Sequence, residues 1–261
     1  MSETTDFYMD WLGCGAFGAV GKRGLVIPEP VVFQPTDISN CSVWLDATDN
    51  LTIQGTGSNV EKWFNKGDLS GSMVPYSTEA VPTTGIHNIN GNNALWFDAY
   101  QTLTCNFTMT EQEYTFFVVT TVLSDLALNN YADWFGNYTS GGFSTGLSEY
   151  LGDYYTGCGG SGIDNYVMIQ RPTFYQNTPV IYAMRSSSNT GTNALWINNV
   201  SQTLDFNSFS GYATGSLDFF IHIYTHSSSL DISELIVYNR ALSDAEVDQV
   251  AVYLSDKYTI T

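Results

Sequence analysis

The chain has 261 residues, of which 15% are aromatic and only 13% charged, and its formal net charge is -18. So anionic a surface repels phosphates, which excludes DNA and RNA as a partner class. No apolar run approaches the ~20 residues that span a bilayer, and Thr, Ser, Asn and Gly are abundant, a mix that suits strands joined by turns.

The N-terminus carries Glu3, Asp6 and Asp10 where a secretion signal would be basic and then apolar, so no conventional signal peptide is expected. Cys14, Cys41, Cys105 and Cys158 lack metal-type spacing, and without export they are expected as free thiols. Residues 1–40 read as an extended arm. Bulky Phe7, Tyr8, Trp11 and Phe17 are interleaved with Gly13, Gly15 and Gly18, which deny them a regular helix, and Pro28, Pro30 and Pro35 extend the chain further. Exposed aromatics of this kind are a liability unless covered. The arm therefore lies along its own sandwich or docks into neighbouring subunits, and Phe7, Tyr8, Trp11 and Phe17 are predicted as its assembly anchor.

Residues 41–261 read as one β-sandwich. Thr115–Val122 is a continuous apolar run, the pattern of a strand buried on both faces. Tyr166–Ile169, Val180–Met184 and Leu217–Tyr224 are further strands. The segment 131–162 is rich in Gly and reads as loops. Asp231–Tyr238 alternates as a strand, which would put Asp231 and Glu234 on opposite faces. Ser243 stands three residues before Glu246, a capping box, and Val247, Val250, Ala251 and Leu254 then recur at helical spacing. Lys257 near the helix end suits the dipole.

Three stretches carry a resemblance. They are Ile232-Ser-Glu234 with Tyr238-Asn-Arg-Ala-Leu-Ser243, then Ser42-Val-Trp-Leu-Asp-Ala47 with Asn90-Gly-Asn-Asn-Ala-Leu-Trp-Phe-Asp98, and Ala194-Leu-Trp-Ile-Asn-Asn-Val200. Together they resemble the laminin-G-like branch of the concanavalin A-like lectin/glucanase superfamily over residues 41–258. The resemblance implies an all-β fold, an antiparallel β-sandwich or jelly roll with a short C-terminal helix. It says little about activity, because this fold hosts lectins, hydrolases and adhesion modules.

Motifs of other chemistries fail on context. Gly13–Gly18 and Gly157–Gly162 match a dinucleotide fingerprint by letter, yet neither lies between a strand and a helix. Gly142–Gly146 matches a nucleophile elbow without the α/β turn that such an elbow needs. Paired catalytic acids two apart on one strand, as glucanases of this superfamily carry them, are missing. Glu111-Gln-Glu113 has the spacing but precedes a strand as a turn. His87, His222 and His226 have no metal-type partner motif.

A structural Ca2+ site is expected instead, with Asp46, Asp98, Asp231 and Glu234 as candidate oxygen ligands, since hard cations take oxygen. Glu234 has a second reading as a buried acceptor for backbone or Arg240. Trp134, Tyr150, Tyr154 and Tyr155 are the candidate glycan platform, although core packing is the ordinary role of such residues. The function expected is a non-catalytic structural and recognition module of a larger assembly. A virion surface is the predicted setting, with other subunits, capsid or tail proteins and glycans as partners. A free calcium-dependent lectin is the alternative, and a glycoside hydrolase a third.

Overall fold

In the computed structural model, the described residues are 32–79, 81–98, 101–109, 113–123, 131–139, 142–150, 153–158, 166–169, 177–187, 193–204, 206–207, 217–222 and 229–261. For 106–109, 131–139, 142–150, 153–158, 166–169, 206–207 and 217–222 the description covers the backbone alone. The anchor candidates Phe7, Tyr8, Trp11 and Phe17 lie outside the described residues.

Eighteen strands, all paired antiparallel, form the fold among the described residues. The first seven are β1 (Cys41–Asp46), β2 (Ile53–Thr56), β3 (Asn59–Phe64), β4 (Ser72–Pro75), β5 (Thr83–Ile89), β6 (Asn92–Phe97) and β7 (Thr102–Met109). Then come β8 (Tyr114–Val122), β9 (Tyr131–Thr139), β10 (Gly142–Tyr150), β11 (Asp153–Cys158) and β12 (Tyr166–Ile169). The chain continues through β13 (Val180–Ser186), β14 (Ala194–Ile197), β15 (Val200–Ser201), β16 (Phe206–Asn207), β17 (Leu217–His222) and β18 (Leu230–Tyr238). One helix, α1 (Asp244–Tyr258), follows.

The pairings resolve into two layers. One runs β15-β14-β13-β8-β18, with β1 and β6 sharing the far edge of β18 and β5 beyond β6. The other runs β2-β3-β4-β7-β17-β9-β10-β11-β12-β16. A single register contact, Asn59 with Thr83, links them. Val60, Trp63, Met73 and Leu103 of the second layer meet Phe116, Val118, Tyr182, Leu235 and Val237 of the first in one buried cluster. The result is the antiparallel β-sandwich that the sequence predicts.

β8 shows why its run is apolar without alternation. Phe116 and Val118 face the interior between the layers, while Phe117 and Val119 face outward under α1. All nine residues of β8 are buried. The outer cluster joins Trp44, Ile181, Ile236 and Tyr238 to Val247, Val250, Ala251 and Leu254 of the helix. Full burial of each of the larger aliphatic side chains contributes roughly 1.5–3 kcal/mol.

The helix begins as predicted. Ser243 Oγ accepts from the Glu246 N–H, and Glu246 Oε2 accepts from the Ser243 N–H at 2.9 Å. Arg240 forks onto Glu246 at 2.6 and 3.0 Å. That fork and the Ser243 N–H pull the Glu246 carboxyl down to about 2. The far end of the helix is satisfied by the turn between β5 and β6. Asn90 Nδ2 donates to the Tyr258 carbonyl at 2.8 Å and Asn92 Nδ2 to the Lys257 carbonyl at 3.0 Å. These are carbonyls that a helix terminus leaves without an intrahelical partner. Asn90 and Asn92 of the β5–β6 turn are thus explained by their work on the helix end.

The compact unit starts at Phe33. Residues 33–40, read in the sequence as the end of the arm, pack on the sandwich. Phe33 meets the Tyr253 ring edge-on at 5.7 Å, Tyr238 Oη donates to the Pro35 carbonyl at 2.9 Å, and Ile38 is buried. The segment 131–162 also departs from its reading. Much of it is strand, β9 to β11, with Gly146 opposite Gly136 and Gly157. Glycines standing at paired positions hide the alternation by which strands are recognised.

Candidate functional site

The acids singled out in the sequence converge on the outer face of the first layer. Asp46 of β1 and Glu234 of β18 are register partners. Strict alternation would place Asp231 and Glu234 on opposite faces, and the structure corrects this. In the pairing of β18 with β8, Ile232 faces Thr120 and Glu234 faces Val119, so Ser233 is an extra residue. This β-bulge resets the alternation. Leu230 and Ile232 point to the interior before it, Leu235 and Val237 after it. Asp231 and Glu234 therefore share the outward face.

Glu234 is almost fully buried and receives four donors. Trp44 Nε1 and Tyr253 Oη reach Oε1 at 2.7 and 3.0 Å, and Lys257 Nζ and Tyr258 Oη reach Oε2 at 2.7 and 2.9 Å. Burial pushes this carboxyl up, while Lys257 and the Trp44 indole pull it back. Four donors fill the four or so lone-pair sites of an ionised carboxylate, so the geometry is that of the charged form. The same ammonium stands 2.9 Å from Asp46. Burial opposes ionisation of Asp46 too, but Lys257, the Thr48 hydroxyl and Lys66 outweigh it and hold its carboxyl below the usual range. Lys66 completes the seam, 2.9 Å from Asp49 and 3.9 Å from the Trp44 ring centroid.

Asp231 sits in a second group. His87 Nδ1 lies 2.9 Å from its Oδ1, and the imidazole stacks on Trp96 at 5.1 Å. Burial raises the Asp231 carboxyl to about 6, against the pull of His87. The indole N–H of Trp96 and the hydroxyl of Thr83, its cross-strand neighbour, are buried without a partner.

Asp98, which follows β6, is exposed, whereas the other three are buried. Among the described residues, no group of three or more His, Cys, Asp or Glu side chains is arranged to hold a metal ion. The space between Asp46 and Glu234 is filled by the Lys257 ammonium. Cys41 and Cys105 are reduced cysteines outside any disulfide, and burial pushes the Cys41 thiol up to about 12, where it stays protonated and inert. The glycan candidates fall on strands, Trp134 on β9, Tyr150 on β10, and Tyr154 and Tyr155 on β11. Their side chains lie outside the described residues.

A cleft of about 230 Å³ opens where the β2–β3 hairpin meets the start of β5. It is lined by Asn50, Ile53, Gly55, Gly57, Asn59 and Thr84. Its walls are set by tight backbone. A Cβ on Gly55 would lie 1.8 Å from the Asn59 carbonyl oxygen, and Gly57 turns the hairpin at φ +63. Below it, Asn93 Nδ2 donates to Thr84 Oγ1 at 2.9 Å and to the Ala47 carbonyl at 2.7 Å, while Asn93 Oδ1 accepts from the Gly85 N–H. With a lone pair of Thr84 already engaged, its hydroxyl proton is left to point elsewhere. Sequence reading passed over this cleft. Its signal was the Gly55-Thr-Gly57 hairpin turn flanked by Asn50 and Asn59.

No protein-family model matches this chain, and no curated protein matches it in sequence. Solved structures do share its fold. The binding domain of botulinum neurotoxin serotype D superposes with a TM-score of 0.59 at 12% identity, over 82% of this chain and 51% of that one. The receptor binding domain of botulinum neurotoxin type G gives 0.56 at 12%, over 83% and 52%. Trypanosoma rangeli sialidase, in complex with 2,3-difluorosialic acid as the covalent intermediate, gives 0.55 at 11%, over 84% and 33%. The chain thus spans about half of each neurotoxin domain and a third of the sialidase. No described helix is long and apolar enough to cross a membrane.

Proposed function

We propose that this chain is a non-catalytic glycan-recognition module of a larger assembly. The observation that carries the reading is a contrast in how polar groups are spent. The three buried carboxyls among the described residues, Asp46, Asp231 and Glu234, are all engaged by Lys257 or His87. The cleft at the β2–β3 hairpin, by contrast, presents neutral amide and hydroxyl groups to solvent. Glycoside hydrolysis needs a general acid and a second carboxyl across the bond, and carboxyls already held by Lys257 or His87 inside the fold are poorly placed to serve. Amides and hydroxyls are what a sugar hydroxyl pairs with. The ligand binding domain of botulinum neurotoxin serotype D, half of which shares this fold at a TM-score of 0.57, was solved in complex with N-acetylneuraminic acid. That likeness supports a sugar as the ligand class.

A glycan array tests this, run on the full chain with Ca2+ and again with a chelator. Binding that survives chelation is the expected result, because three of the four acids nominated as calcium ligands, Asp46, Asp231 and Glu234, are held by Lys257 or His87. Binding lost on chelation would put a cation in the site and overturn an amide-built one. A flat array in both conditions would remove the recognition reading.

The assembly we favour is a virion surface, with the chain as a decoration, minor capsid or fibre-type protein on capsid or tail partners. The net charge of -18 and the aromatic arm of residues 1–32 support it. Deletion of residues 1–32 tests the arm and leaves Phe33, which packs on Tyr253, in place. Residues 33–261 are expected to fold and to be left out of co-expressed particles. Normal incorporation of that fragment, read by sedimentation, would sink the arm's role.

A further inference from the structure

We infer that the cleft at the β2–β3 hairpin takes a single uncharged pyranose ring and turns away anionic sugars, sialic acid included. The inference deepens the glycan reading and rests on it.

Size sets the first limit. About 230 Å³ is below the ~300–1,000 Å³ of pockets that hold drug-sized ligands. It corresponds to roughly eight waters at the ~30 Å³ each occupies in the liquid. A single ring fits such a space, whereas a chain of sugars would have to run out over the rim.

Charge sets the second. None of the lining residues is ionisable. A carboxylate ligand needs a cation or several N–H donors aimed at it, since a desolvated charge without a partner is costly. The field of the whole chain, at -18, opposes an anion further. The nearby carboxylate of Glu61, 2.7 Å from Thr56 Oγ1 on the same hairpin, adds to that opposition.

The donor pattern sets the third. Asn50 and Asn59 are exposed, and each amide offers two donors and an acceptor. Thr84 receives the Asn93 amide proton, so its own proton is available to donate into the cleft. Ile53 adds an apolar wall for the C–H side of a ring. Neutral vicinal hydroxyls, which both give and take hydrogen bonds, match this set. Phosphate and carboxylate, which only accept, leave the amide oxygens unmatched.

The probes are the methyl glycosides of glucose, galactose, mannose and N-acetylglucosamine, with N-acetylneuraminic acid beside them. Each is titrated into the ¹⁵N-labelled full chain, and the side-chain amides of Asn50 and Asn59 are followed. We expect at least one neutral glycoside to shift both amides at millimolar concentration, and sialic acid to leave them still. Asn59→Ala, at an exposed position, should weaken that binding at least tenfold without loss of fold. Thr84→Val is the second variant, with the same expectation. Shifts from sialic acid alone, or from a neutral sugar that moves residues elsewhere, would overturn this inference and leave the glycan reading standing. Silence from all five probes together with a flat array would take down both.

Discussion

Two acids on one face of one strand have been given opposite surroundings. Glu234 lies under the C-terminal helix and collects four donors, two on each oxygen, from Trp44, Tyr253, Lys257 and Tyr258. Asp231 lies beyond the Ser233 bulge and has one side-chain partner, His87, beside an indole N–H that has none. Burial pushes both carboxyls up. The difference is that α1 brings its own cation and phenols to one acid and not to the other. A buried charge is stable only when its new partners replace the water it gave up. The helix-covered end meets that condition, and the His87 end meets it in part.

The largest effect is expected from breaking the covered end. Glu234→Gln removes the charge, keeps the shape and leaves Lys257 with Asp46 as its one carboxylate partner. Removing one partner of a buried pair typically costs about 3–5 kcal/mol. In a chain of this size each kcal/mol lowers Tm by about 2–4 °C, so a fall of roughly 10 °C is expected. Calorimetry on the full chain reads it. A loss under a degree would mean that the seam is ornamental and that α1 is held by its apolar stripe alone.

That stripe was plain in the sequence, and the seam was not. Val247, Val250, Ala251 and Leu254 recur at a helical period, and Ser243 with Glu246 marks the start, so local chemistry fixes the helix before any fold exists. Thr115–Val122 announces burial on both faces by the same kind of local signal. The partners of Glu234, by contrast, come from residues 44, 253, 257 and 258, and nothing in their spacing says that they meet. Arg240, nominated beside backbone as a partner for Glu234, forks onto Glu246 instead. His87 and Asp231 are 144 positions apart. The bulge at Ser233 is invisible for a different reason, since one inserted residue flips every later side chain without altering the composition. The hairpin cleft escaped notice because Asn and Gly ordinarily mark turns.

The smaller effect, and the sharper test of the comparison, belongs to Asp231. Its carboxyl is raised from the ordinary 3.8 to about 6. The folded chain therefore holds a proton there that the unfolded chain has already released between those values. Stability from this group is fully present below about pH 4 and is lost as pH rises toward 6, the reverse of a salt-bridged acid. Asp231→Asn cannot ionise and keeps a polar group beside His87. Relative to the native chain, the variant is expected to gain stability steadily from pH 4 to pH 6 and to hold that gain above it. Denaturant midpoints at four or five pH values across this window measure the difference directly. A difference that runs the other way, with the variant losing ground as pH rises, would show that His87 carries the charge of Asp231 as fully as Lys257 carries that of Glu234. The two ends of the strand would then differ only in how many donors they collect, and not in how well they tolerate a charge.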